Sequence, residues 1–210
     1  MVYPNPQIYH HLKAIFVHVP KTTGTAIERT LRESPEQNVG GHTTALGYRR
    51  QYPVEFATYF KFAVVRHPVS RFLSAYRYLR KERVHPALHN AEIHECGTFE
   101  EWWDRMREDP EQVKRIVHFL PQRRFVCDER GDVIRDRIYR YESIEADWDD
   151  LCLRLGLAPR RLPRINDSRG VSQSELKAEA LASWIEGVYA EDFVMGGYTS
   201  GKVADLAGPR

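Results

Sequence analysis

Cysteine is scarce in this chain: only Cys96, Cys127 and Cys152, an odd number, widely spaced and without a CxxC pair. Such usage argues against a disulfide framework and fits a reducing compartment. Long apolar runs are missing too, since nothing approaches the ~20 residues that a membrane-spanning helix needs. Met1 to Lys13 shows no charged segment followed by an apolar one, so no secretory leader is read there and the expected location is the cytoplasm. Charge imbalance is also lacking. Lys and Arg total 31 against 29 Asp and Glu, a net +2, which gives no basis for generic attachment to nucleic acid or a membrane surface. Arg123-Arg124 and Arg160-Arg161 with Arg164 are local basic clusters, read first as solvated surface. No repeat or low-complexity block interrupts the chain.

What is present is ordinary for a soluble globular protein: 42% hydrophobic, 29% charged and 11% aromatic residues over 210 positions. That length suits one domain with its own core. We expect a single domain over residues 1–210, with its core at about 14–198 and a frayed tail at 199–210.

Residues 14–19 form a continuous apolar run that reads as a buried strand. A helix is expected over Thr25–Glu33, ended by Pro35. Phe60–Val65 reads as a second strand, and Pro68 stands where a first helical position belongs. Val69, Phe72, Leu73, Tyr76 and Leu79 then mark the apolar face of a helix running to about Arg83. His85–Cys96 reads as a polar loop. Thr98 and Glu101 have capping-box spacing for a helix carrying Trp102, Trp103 and Met106. A hairpin is expected from Arg124–Cys127 through the turn Asp128–Asp132 to Val133-Ile134. Further on lie a strand at Ile138–Tyr141, a helix at Ala146–Leu155 closed by Gly156, and a last helix from near Ser172. Leu176, Ala180, Leu181, Trp184, Ile185 and Val188 supply the buried stripe of that helix. Strands alternating with helices predict an α/β fold on a parallel sheet, which binds ligands at the carboxyl ends of its strands.

Lys21 and Arg66 both fall at such ends. Pro20-Lys21-Thr22-Thr23-Gly24-Thr25-Ala26 joins the first strand to a helix, so the backbone N–H groups of Thr23 to Ala26 are placed to surround an oxyanion, with Lys21 to neutralise its charge. The GxxxxGK[ST] order of a nucleoside-triphosphate loop is absent. Taken alone, the segment fits equally a solvated lysine and an ordinary N-cap at Thr25. In the second segment, Arg66 leaves the strand end and Ser74 lies on the following helix. An arginine fork with a hydroxyl suits a terminal phosphate. The plainer alternative has Arg66 and Arg71 in surface salt bridges.

Together the two segments resemble the signatures of sulfotransferases that use 3′-phosphoadenosine 5′-phosphosulfate (PAPS). More narrowly, they are similar to the carbohydrate-type sulfotransferase family 2, which includes heparan sulfate 2-O-sulfotransferases. The first signature, commonly PKTGGTS, stands here as Pro20-Lys21-Thr22-Thr23-Gly24-Thr25-Ala26. The second, Arg-x-Pro-x-x-Arg-x-x-Ser-x-Tyr, runs from Arg66 to Tyr76. Thr23 replaces a glycine and Ala26 a serine. Pro121-Gln122, Tyr139–Ile144, Ile165-Asn166 and the stretch from Tyr189 to Tyr198 also have counterparts, so the resemblance covers most of residues 14–198.

The resemblance implies a P-loop-like central parallel sheet flanked by helices and transfer of a sulfo group from PAPS to a hydroxyl, carbohydrate acceptors being the usual family targets. It implies that Lys21, Thr22, Thr23, Gly24, Thr25 and Ala26 hold the phosphosulfate, and that Arg66 and Ser74 hold the 3′-phosphate. Lys21 stabilises the leaving phosphate oxygen. The proton of the attacking hydroxyl needs a base, and histidine suits that task. Family 2 enzymes place a Gly-His base between the two donor segments, which points to His42 in Asn38–Thr44. Among the others, His10 and His11 lie near the terminus, His18 within the first strand, and His67 at a variable signature position. His85, His89 and His94 with Glu92, Glu95 and Cys96 match no metal-binding spacing, and no metal is expected. Two alternatives are carried forward: a P-loop nucleotide kinase or NTPase, and a non-catalytic binder of adenosine phosphates.

Overall fold

The apolar runs at 14–17 and 60–65 pair in parallel, which explains why they are not alternating: both faces of such strands are covered. The computed structural model describes residues 6–34, 40–158, 160–163 and 175–199, with side chains in the last segment described from Glu179. In chain order, the first elements are β1 (Ile8–Tyr9), β2 (Ala14–Val17), α1 (Gly24–Leu31), α2 (Ala45–Gln51), α3 (Pro53–Thr58), β3 (Phe60–Val65) and α4 (Pro68–Lys81). Then come α5 (Ala91–Glu95), α6 (Phe99–Met106), α7 (Pro110–Val113), α8 (Arg123–Val126), β4 (Arg137–Arg140), α9 (Ile144–Arg154), α10 (Glu175–Val188) and α11 (Ala190–Gly196). They form two units: Met1–Arg66 with Gln122–Asp167, and His67–Pro121 with Ser168–Arg210.

The first unit holds the sheet, a mixed one in the order β1-β2-β3-β4. β2, β3 and β4 run parallel as expected, and β1 adds an antiparallel edge, pairing Ile8 with Ile15. Ala14 faces Phe60 and Val17 faces Ala63 across β2 and β3, so the segments after these two strands leave from the same sheet edge. One face of the sheet presents Phe16, Phe62, Val64 and Tyr139 to Ile27 and Leu31 of α1 and to Trp148 and Leu151 of α9. Phe16 and Phe62 stack with ring centroids 5.0 Å apart.

The second unit is helical. Phe72, Tyr76 and Leu79 of α4 pack with Trp102, Phe119, Leu181 and Ile185. Trp102 and Trp103 are both core residues. Arg71 is also buried, and its guanidinium donates to the carbonyls of His118 and Leu120. It is therefore no surface ion pair, and burial presses its pKa downward against the opposing pull of Asp192.

Several local expectations need correction. Residues 123–126 form a helical turn rather than a strand, but the chain folds back through the expected turn: the Asp128 amide donates to the Asp132 carbonyl, the Ile134 amide to the Val126 carbonyl, and Cys127 and Val133 form an antiparallel bridge. His85–Cys96 is an ordered connection rather than a loop. Asn90, the residue before α5, donates to the carbonyls of Leu79 and Arg83 and accepts from the His85 amide. His94 Nε2 lies 3.1 Å from the Leu79 carbonyl, a structural use of the ring. Ala180 is exposed on α10. Thr98 caps α6 as its spacing predicts, while Glu101 returns to the amide of Gly97 instead of Thr98. Pro35, Asn38, Val39, Arg164, Ile165, Asn166, Ser172, the side chain of Leu176 and the tail beyond Thr199 lie outside the described residues.

Candidate functional site

The segment after β2 turns tightly. Lys21 and Thr23 both take left-handed backbone conformations, at φ 68° and 67°. Between them, Thr22 is fully buried and its hydroxyl donates to the Val19 carbonyl at 2.8 Å. Thr23 is the residue preceding α1, and its carbonyl accepts from the amides of Ala26 and Ile27. A helix start leaves its first amides without intrahelical partners. Since the Ala26 amide is engaged, the donor set facing out of this helix is Thr23, Gly24 and Thr25. The positive end of the helix dipole and Lys21 add to the same field.

Arg66 ends β3 beside that turn. Its backbone is held on both sides by one side chain: Gln122 Oε1 accepts from the Arg66 amide at 2.9 Å, and Gln122 Nε2 donates to the Arg66 carbonyl at 2.8 Å. The guanidinium carbon lies 4.1 Å from the centroid of Tyr141, and Nη1 reaches the Lys21 carbonyl at 3.4 Å. Two cationic residues from the ends of adjacent parallel strands thus meet over one backbone carbonyl. Ser74 belongs to the second unit, buried on α4.

His42 is half-buried in the first unit. Its Nδ1 lies 3.1 Å from the His18 carbonyl. A carbonyl can only accept, so Nδ1 carries the proton and Nε2 holds the basic lone pair of the neutral ring. His18 is not inside β2 but one residue past its end. Its ring stacks on Phe16 at 5.4 Å, meets the His42 ring edge-on at 4.5 Å, and sits against the α-carbon of Gly24. His18 Nδ1 lies 2.6 Å from Glu28 Oε1, with both side chains buried.

A family model described as the sulfotransferase family matches residues 8–199. The chain belongs to the sulfotransferase family. No curated protein and no solved structure gives a match. Membership makes sulfo-group transfer the general activity, and the two signature segments of the sulfotransferase fall inside the matched range. Among its described residues, no helix is long and apolar enough to cross a membrane, and no cluster of three or more His, Cys, Asp or Glu side chains is placed to hold a metal ion.

Two functional-looking residues of the sulfotransferase escaped the sequence reading, Glu28 and the outward role of His18. A signal for Glu28 was available. Gly24, Ile27, Glu28 and Leu31 recur at helical spacing, and all four are buried, so a carboxylate sits in an apolar stripe where only a paired one is tolerated.

Thr23 is a β-branched residue in a conformation that favours glycine. Replacing Thr23 by glycine is expected to stabilise the sulfotransferase by about 1 kcal/mol, the relief of left-handed strain less the added chain entropy. A thermal melt should rise by about 2–4 °C. An unchanged or lower midpoint would mean that neighbouring contacts already absorb the strain.

Proposed function

We propose that the protein transfers a sulfo group from PAPS to an acceptor hydroxyl, with a saccharide as the acceptor class. The observation that carries this reading is the meeting of the Lys21 turn and Arg66 at the carboxyl edge of β2 and β3. Strand ends of this kind are where open α/β sheets bind ligands, and family membership supplies the reaction class.

The residues fit an elongated donor with an anionic group at each end. The amides of Thr23, Gly24 and Thr25 and the ammonium of Lys21 supply hydrogen-bond donors and positive charge for the phosphosulfate end. Arg66 supplies a rigid fork for the 3′-phosphate, its backbone fixed by Gln122 and its plane laid on Tyr141. When bound, PAPS supplies a sulfo group already activated by its bond to a phosphate. His42 Nε2 takes up the acceptor's hydroxyl proton, and the resulting imidazolium stays anchored through Nδ1–H on the His18 carbonyl. Lys21 offsets charge that develops on the departing phosphate oxygen.

Calorimetric titration with 3′-phosphoadenosine 5′-phosphate tests the donor site, with ADP and ATP-Mg²⁺ as controls. The expected result is a clear preference for the 3′-phosphorylated nucleotide. Loss of one charge-assisted phosphate contact in Arg66→Ala should weaken that binding about tenfold or more, while His42→Ala should leave it intact. A preference for ATP-Mg²⁺ would instead revive the nucleotide kinase. Tight binding without transfer to any member of a broad acceptor panel would point to a non-catalytic binder.

A further inference from the structure

Glu28 spends its two carboxylate oxygens on two different parts of the first unit. Oε1 contacts His18 Nδ1 at 2.6 Å, and Oε2 accepts from the amide of Gly40. Gly40 is gripped from its other side as well, where Gln7 Nε2 donates to its carbonyl at 2.8 Å. Gln7 is in turn fixed by Tyr48, whose hydroxyl donates to Gln7 Oε1 at 2.7 Å and accepts from the Gln7 amide at 2.9 Å. Both Gly40 and Gly41 have positive φ, 101° and 108°, so this clamped turn delivers the chain directly to His42.

His18 is the second route by which Glu28 reaches His42. The His18 carbonyl is the acceptor for His42 Nδ1, and the two rings touch edge-on. One carboxylate therefore governs both the backbone that carries His42 and the residue whose carbonyl sets its tautomer. We infer that Glu28, with His18 and Gln7, is a positioning residue that holds His42 in its Nδ1–H form with Nε2 as the proton acceptor. This rests on the reading of His42 as the base. Glu28 itself touches no substrate in this assignment; it acts through His42.

Long-range proton–nitrogen correlation spectra of the histidine-labelled full chain read the ring tautomer directly. Above the titration range of the ring, His42 should show a protonated Nδ1 and a bare Nε2. In Glu28→Ala that signature should give way to the Nε2–H form or to a mixture. Glu28→Gln keeps an oxygen for the Gly40 amide and should restore most of it. Where Glu28→Ala fails to fold, Gln7→Met loosens the other side of Gly40 at nearly constant volume, and the same drift is expected. Transfer from labelled PAPS to an oligosaccharide panel should fall about 10–100-fold in Glu28→Ala, with affinity for 3′-phosphoadenosine 5′-phosphate changed by less than about threefold.

A folded Glu28→Ala protein with an unaltered His42 signature overturns the inference. So does a Glu28→Gln protein that behaves like Glu28→Ala, since the clamp on Gly40 would then not matter. Failure of the base reading looks different. In that case His42→Ala leaves transfer intact, while the tautomer signature still responds to Glu28.

Discussion

Replacement of His42 by alanine is expected to slow sulfo transfer about 10²–10⁴-fold, the usual worth of a positioned general base. Affinity for 3′-phosphoadenosine 5′-phosphate should hold, because the proposed donor contacts come from the Lys21 turn and Arg66, while His42 is proposed to act on the acceptor. Alanine also opens a gap beside His18 and Phe125, whose rings meet His42 at 4.5 and 6.3 Å. His42→Asn separates packing from proton transfer. An asparagine amide can still donate to the His18 carbonyl, yet it has no basic atom. Both variants should therefore lose transfer to a similar extent. Rates measured as label moved from PAPS to oligosaccharides decide the matter. A loss smaller than about tenfold in both variants would remove His42 from the base role.

The parts of the fold that could be read in advance are those governed by local rules. β2 and β3 are uninterrupted apolar runs, Pro68 opens α4 and Thr98 caps α6, and each of these signals acts within a few residues. The Lys21 turn and Arg66 were legible as candidates because a strand end followed by a helix start is itself a local pattern. What joins them is not local. The Lys21 carbonyl and Arg66 are 45 positions apart, Gln122 reaches Arg66 over 56, and Tyr141 supplies the flat support from still further along. The helical turn in the first arm of the hairpin has a similar cause. Arg124–Cys127 carries strand-like residues, but Gln122 must turn back to bracket Arg66, and a short helical turn follows that bend. His18 was placed inside a strand because the apolar run extends through it. Its partner Glu28 lies on the next helix, and nothing in adjacent residues announces the pair.

Gly24 brings these long-range constraints to a point where one methyl group tests them. It lies at the first position of α1 with no positive φ to require glycine, so alanine ought to favour the helix by about 1 kcal/mol. The opposite is expected. A β-carbon at Gly24 would sit 1.9 Å from His18 Nε2 and 2.1 Å from Cδ2, well inside van der Waals contact. The ring has no easy escape, because Phe16 stacks on one side of it and Glu28 holds Nδ1. Either the turn lifts away from the ring, or the ring moves off Glu28 and leaves its buried carboxylate only the Gly40 amide. Gly24→Ala should thus destabilise the protein by about 3 kcal/mol and weaken binding of 3′-phosphoadenosine 5′-phosphate about tenfold or more, since the proposed donor site uses the Gly24 amide. Removing the ring removes the clash, so a double-mutant cycle in urea is the decisive measurement. Gly24→Ala with His18→Ala should be more stable than the sum of the single changes predicts, by about 1–3 kcal/mol. Strict additivity would mean that the turn, and not the histidine behind it, dictates glycine here.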